Sequence, residues 1–197
     1  ENKPKAYSSY KGVAIVRVPI VVRGQCGIQL ALNYLSFIVS GTVIGLYKLR
    51  RQKFDSIFVF GPSPVTVGLP AIVFRYFKKA PLVFWVLDLW PDSLEAVGVV
   101  RSERTLKLVG WLVSYIYKRC DLVLGQSKSF ISHIRKYAGH DRVAYFPGWA
   151  ESVFSVDQFR SLKSRSDSAQ FNIVFAGNIG VAQDFPTVLK AMELLKD

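Results

Sequence analysis

Two short stretches hold residue types that could handle an anionic or hydroxylated ligand. Asp88-Leu89-Trp90-Pro91-Asp92-Ser93 directly follows the apolar run Leu82–Leu87 (LVFWVL). A carboxylate at Asp88 lies where a buried strand would meet a cleft, and there it can orient a ligand hydroxyl or take a proton. It could equally cap the following turn. Gly177-Asn178-Ile179-Gly180 stands between the strand-like FNIVF and a helical pattern beginning near Asp184. Glycines there let backbone N–H groups approach a ligand, and a helix start favours phosphate. Gln183 and Asp184 sit at that helix start, where Asp184 could be an N-cap. No GKS or GKT follows, so this is no Walker loop, and it departs from GxGxxG. A purely structural turn is the competing reading.

Other chemistries find little footing. His133 and His140 lie on or just after an ordinary helix without a nucleophile nearby in sequence, and are read as non-catalytic. No metal-ligand spacing occurs. Cys26 and Cys120 are far apart, and a reduced intracellular compartment is the simplest reading. Trp85, Trp90, Trp111 and Trp149 read as packing residues, with Trp90 and Trp149 at strand ends where they could stack on a substrate.

These positions need a scaffold, and the chain supplies an alternation of strands and helices. Strands are expected at Val13–Ile20, Ser56–Phe60, Leu82–Leu87, Asp121–Leu124 and Arg142–Phe146. Helices are expected at Gly27–Gln52, at Pro64–Lys79 with a kink or restart at Pro70, at Arg104–Arg119 and at Lys128–Tyr137. Continuous apolar strands separated by helices predict an α/β fold, a Rossmann-like parallel sheet with helices on both faces. Ligands of such sheets bind beyond the C-terminal strand ends. That directs attention to Gly61–Pro64, Asp88–Ser93, Gln126–Ser127 and Pro147–Glu151. The polar stretch Ser161–Gln170 falls in a linker, after which Phe171–Phe175 and a helix Asp184–Lys196 open a second α/β unit. The domains are read as 1–151, a linker 152–170, and the beginning of a second domain at 171–197.

The chain has 197 residues, half of them hydrophobic, and 26 basic against 14 acidic side chains, a formal charge of +12. A basic surface attracts anions, including lipid headgroups and phosphorylated substrates. The clusters Lys48–Lys53, Arg75–Lys79, Arg101–Lys107 and Lys118–Arg119 mostly end apolar segments. No helix carries a continuous basic face and no nucleic-acid motif is present, so nucleic acid is not expected as a partner. Leu30–Leu46 has about the minimum length of a membrane span, but Asn33, Ser36, Ser40 and Thr42 interrupt it. A buried or membrane-surface helix is expected there. The chain begins at Glu1 without a signal peptide, which suggests a trimmed fragment.

Taken in order, several motifs resemble glycosyltransferase family 4, in the branch of bacterial polysaccharide assembly that transfers N-acetylated amino-sugars such as fucosamine. They are Gly61-Pro62-Ser63-Pro64-Val65-Thr66-Val67-Gly68-Leu69-Pro70, Asp88–Ser93, and Tyr117-Lys118-Arg119-Cys120-Asp121. Phe146-Pro147-Gly148-Trp149-Ala150-Glu151 and Ala176–Gly180 with Gln183 complete the series. The resemblance implies a GT-B fold of two Rossmann-like domains and a retaining transfer from a nucleotide sugar, UDP-linked by expectation. No cofactor or metal is required. The acceptor would be a lipid-linked or other saccharide, and the departing diphosphate would be stabilised electrostatically.

By that likeness Gly177, Asn178, Gly180 and Gln183 border the donor. Gly61, Ser63, Trp90 and Asp92 face the acceptor, and Asp88 is the catalytic candidate. An anionic membrane surface is an expected partner, with the protein cytoplasmic and peripheral to the inner face of the membrane. Many family members carry a His near the position of Asp88, and Gly148 stands where the family usually has Asn. The family's first strand and Gly-rich acceptor loop precede Val13, and its Glu-x7-Glu element lies beyond Asp197. The chain is therefore expected to be a fragment, inactive alone. Two further readings stay open: a non-catalytic binding or scaffold protein of the same fold, and a nucleotide-sugar epimerase.

Overall fold

Four apolar runs, each too short for a helix, pair side by side in chain order into a parallel sheet: Ile57–Gly61 (β3), Leu82–Val86 (β4), Leu122–Gly125 (β5) and Val143–Tyr145 (β6). The architecture comes from a computed structural model that describes residues 7–24, 27–98, 100–149, 173–177, 179–180 and 183–195. The elements are β1 (Tyr7–Tyr10), β2 (Val13–Val16), α1 (Gly27–Leu49), β3 (Ile57–Gly61), a 3-10 turn (Val65–Val67), α2 (Gly68–Lys78) and β4 (Leu82–Val86). They continue with α3 (Asp92–Ala96), α4 (Glu103–Tyr117), β5 (Leu122–Gly125), α5 (Lys128–Ala138), β6 (Val143–Tyr145) and α6 (Phe185–Leu194).

The chain is thus α/β, with a Rossmann-like parallel sheet flanked by helices. Phe60 lies opposite Trp85, Trp85 opposite Leu124, and Leu124 opposite Ala144. This register separates two faces. Val59, Phe84, Val86, Val123 and Val143 face a helix layer that contributes Ala71, Val113, Ile116, Tyr117, Ile134 and Ala138 to one core. Each fully buried large side chain there contributes about 1.5–3 kcal/mol. The opposite face presents Phe58, Phe60 and Trp85, and Trp85 is covered edge-on by Phe146 and in parallel by Trp149.

Several expectations shift. Val13–Ile20 was expected as a strand of the parallel sheet. Instead Val13–Val16 pairs antiparallel with Tyr7–Tyr10 in a separate hairpin. The two-residue connection is the reason: Lys11 and Gly12 both have positive φ, 48° and 84°, the twist that closes a tight hairpin. The helix expected from Pro64 begins at Gly68 behind the 3-10 turn, and Pro70 falls in its first turn, where its missing N–H has no intrahelical partner to lose. The short helix α3 was not foreseen. Of the strand expected at Phe171–Phe175, residues 173–175 form no strand pairing among the described residues, and 171–172 lie outside the described residues.

At the opposite end of the sheet from the candidate site, Arg75 closes on Asp121. Its Nε and Nη2 each donate to one carboxylate oxygen at 2.8 Å, and the Leu82 N–H donates to Asp121 Oδ2 at 2.7 Å. The clamp ties α2 to the starts of β4 and β5. Those hydrogen bonds, led by Arg75, hold the Asp121 carboxyl at a pKa of about 2.

Candidate functional site at the strand ends

Beyond the C-terminal ends of β3 and β4, three side chains form one hydrogen-bonded cluster. The Ser63 hydroxyl donates to Asp88 Oδ2 at 2.8 Å. The Trp90 indole N–H lies 2.8 Å from Ser63 Oγ and 3.1 Å from Asp88 Oδ2, a donor shared by two acceptors. Asp88 Oδ1 has no hydrogen-bond partner among the described residues. A carboxylate fixed through one oxygen, with the other open and the side chain half-buried, is suited to accept a hydrogen bond from a ligand hydroxyl.

The backbone explains why these residues meet. Gly61 ends β3, and its carbonyl accepts from the Leu87 N–H at 3.1 Å, locking the strand ends in step. A Cβ at Gly61 would come within 2.4 Å of the Phe84 ring and 2.8 Å of the Trp85 carbonyl, so only glycine allows the approach. Gln126, at the end of β5, donates through Nε2 to the Leu87 carbonyl at 2.9 Å. Trp90 is 8% exposed and belongs to the core. Its ring is therefore a packing element, and the indole N–H is the part it offers to the cluster.

Asp92 lies outside this cluster. It opens α3 and pairs with His133 on α5, Oδ2 to Nδ1 at 3.2 Å. The ring of His133 leans on Tyr137, and its Nε2 is buried without a hydrogen-bond partner among the described residues. The sequence gives no reason to expect His133 beside Asp92, because no spacing signal joins two residues on separate helices. The pair fastens α3 to α5, directly below the strand ends.

Trp149, read from the sequence as a packing residue that could also stack on a substrate, is 72% exposed and lies parallel to Trp85, with centroids 5.7 Å apart and planes 12° apart. The Trp85 indole N–H donates to the Phe146 carbonyl at 3.0 Å, which draws the segment after β6 onto the sheet.

The glycine loop of residues 177–180 is closed on itself. Gln183 Oε1 accepts from the Gly180 N–H at 2.9 Å, and the Gln183 N–H returns to the Gly180 carbonyl at 3.2 Å. The amide expected to meet a ligand thus has an internal partner. Asp184 precedes α6 in the left-handed region and makes no side-chain cap. Asn178 lies outside the described residues. No group of three or more His, Cys, Asp or Glu residues placed to hold a metal ion occurs among the described residues.

Comparison with known proteins gives this geometry a context. The chain is 23% identical over 160 residues to WbjE of Pseudomonas aeruginosa, described as a probable glycosyltransferase, covering 75% of this chain and 38% of that protein. It is 24% identical over 204 aligned positions to WcaI of Escherichia coli (strain K12), described as a putative colanic acid biosynthesis glycosyl transferase, covering 97% of this chain and 49% of that one. The chain is similar to bacterial glycosyltransferases. It spans about half the length, or less, of these curated relatives. No family model and no solved structure matches it.

Proposed function

We propose that the chain is the acceptor-side part of a retaining glycosyltransferase of bacterial surface-polysaccharide assembly. Residues 1–151 form its acceptor-side domain, and residues 171–197 begin a donor-side unit after the linker 152–170. The observation that carries the reading is the similarity to two glycosyltransferases, one described by its role in colanic acid biosynthesis. The Asp88 cluster, at the end of a parallel sheet where such folds bind ligands, supports it with a place for the chemistry.

In this reading Asp88 Oδ1 meets the acceptor hydroxyl, while Ser63 and Trp90 hold Oδ2 so that the carboxylate cannot swing away. The acceptor is a polyprenyl-diphosphate-linked or other saccharide, and the donor is a UDP-linked N-acetylated amino-sugar. Gly177, Asn178, Gly180 and Gln183 border the donor diphosphate, and Gln183 must release the Gly180 amide for that amide to reach it. Neither a metal nor an organic cofactor is needed. The protein works at the cytoplasmic surface of an anionic membrane, where lipid-linked acceptors reside.

The test is binding and transfer measured side by side. The protein is titrated with a short-chain polyprenyl-diphosphate disaccharide by calorimetry, and then incubated with UDP-N-acetylated sugars while labelled product is followed. Acceptor binding that weakens about tenfold in Asp88→Asn, the equivalent of 1.4 kcal/mol, supports the reading. Residues 1–197 alone are expected to bind acceptor without transferring sugar. Acceptor binding indifferent to Asp88 and Ser63 would sink the site assignment.

A further inference from the structure

Among the described residues, α1 carries a long apolar face that stays exposed. This helix is long and apolar enough to cross a membrane, yet only Gly45 of its 23 residues is fully buried. Its two long faces have different fates. One face carries Phe37, Gly41 and Gly45 against α2: a Cβ at Gly41 would sit 3.6 Å from Pro70, and one at Gly45 3.0 Å from Phe74. The segment before the helix binds it too, since Asn33 Nδ2 donates to the Val21 carbonyl and the Val21 N–H donates to Ser36 Oγ. The opposite face is a stripe of Ile28, Leu32, Leu35, Val39, Val43 and Tyr47, at the three- and four-residue spacing of one helix side. Each is between 48% and 75% exposed.

Charge tells which occupant fits. The first 87 residues hold 12 of the chain's 26 basic side chains and only 2 of its 14 acids, so +10 of the +12 net charge sits in the part that carries α1. No charged residue lies on the stripe. Cations gather where it ends: Arg50 is aligned with the stripe, its guanidinium 4.2 Å above the Tyr47 ring, and exposed Arg51 and Lys53 follow. An apolar stripe closed by aromatic and cationic groups matches the boundary between acyl chains and anionic headgroups. A helix already bound along one side by protein lies in that boundary rather than crossing it.

We propose that α1 is an in-plane docking element for an anionic bilayer, with Ile28 to Tyr47 entering the acyl boundary and Arg50, Arg51 and Lys53 holding lipid phosphates. The proposal rests on the membrane part of the function proposed above and gives it a specific surface. Docked this way, α1 presents α2 and the β3 edge alongside the membrane.

The experiment is co-sedimentation of the 197-residue chain with vesicles of phosphatidylcholine, with and without phosphatidylglycerol. Three forms are compared: wild type, Leu35→Glu/Val39→Glu, and Arg50→Gln/Arg51→Gln/Lys53→Gln. Circular dichroism and the melting midpoint report folding, and Leu35→Ser/Val39→Ser replaces the glutamate pair if that pair unfolds. The expected result is binding that needs phosphatidylglycerol, falls about tenfold in the stripe variant, and loses its lipid preference in the cation variant. Binding indifferent to the stripe would overturn the role of α1 and leave the membrane location standing. No binding to any vesicle would overturn both, while acceptor and donor binding are measured independently. A stable dimer that the stripe variant splits would also overturn it, since a second copy would then be what covers α1.

Discussion

Trp90 reaches back across two strand ends to place its indole N–H 2.8 Å from the hydroxyl oxygen of Ser63. The bond couples a core side chain to the loop after β3, and through Ser63 it fixes one oxygen of Asp88. Ser63→Ala leaves Asp88 only the longer 3.1 Å contact from Trp90. Acceptor affinity in calorimetry is expected to fall by about 1.5 kcal/mol, the low end of the net worth of a hydrogen bond to a charged group. Ser63→Thr should restore most of it, because the hydroxyl returns.

The Arg75–Asp121 clamp sets an acid limit on stability. The folded-state carboxyl sits near 2, below its ordinary value of 3.8. A depressed carboxylate stabilises the fold above its unfolded pKa, and that contribution is lost as pH falls toward the folded value. Wild type should therefore lose stability between roughly pH 4 and pH 2. Asp121→Asn should flatten this part of the profile in urea titrations. Because the pair is partly exposed, the substitution should cost only about 1 kcal/mol at neutral pH.

Gly61→Ala places a methyl group against the Phe84 ring and the Trp85 carbonyl at once. The ring can rotate but the carbonyl belongs to the neighbouring strand, so β3 must separate from β4. A loss of about 1–3 kcal/mol in chemical denaturation is expected, as for overpacked cores. Acceptor binding should weaken with it, since Ser63 moves too.

Cys120 is buried, and burial first of all pushes its thiol up to about 12. At pH 8 it should resist maleimide labelling, mapped by mass spectrometry of peptides, until denaturant unfolds the sheet. Rapid labelling of Cys120 in the native protein would contradict the packing around Ile116, whose carbonyl lies 3.3 Å from the sulfur.

The sheet strands and their following helices were legible because each is a short apolar run bracketed by Gly, Pro or charge. Segments 82–87 and 121–124 differ by a residue at most from β4 and β5. Asp88 was visible for the same reason, as a charge directly after an apolar run. The partners that fix it were not: the Ser63 and Trp90 bonds depend on the parallel register, which no local pattern encodes. The hairpin was misread because VAIVRVPI looks equally like any strand, and Lys11-Gly12 lacks the usual Asn-Gly or Asp-Gly pair. The length of α1 was close to expectation, but its exposure was not, since an apolar run says what prefers to be covered and not whether anything covers it.

The strand order β3-β4-β5-β6 has a consequence for how the chain is made. Each strand pairs with the one synthesised just before it, and each joining helix returns to the same layer. Growth at a single advancing edge needs no earlier segment to wait for a distant one. The loops closed at each step stay short, and the entropy lost per added strand stays small. The sheet can be laid down in the order the ribosome delivers it, so the half-made domain spends little time with unpaired apolar strands in solution.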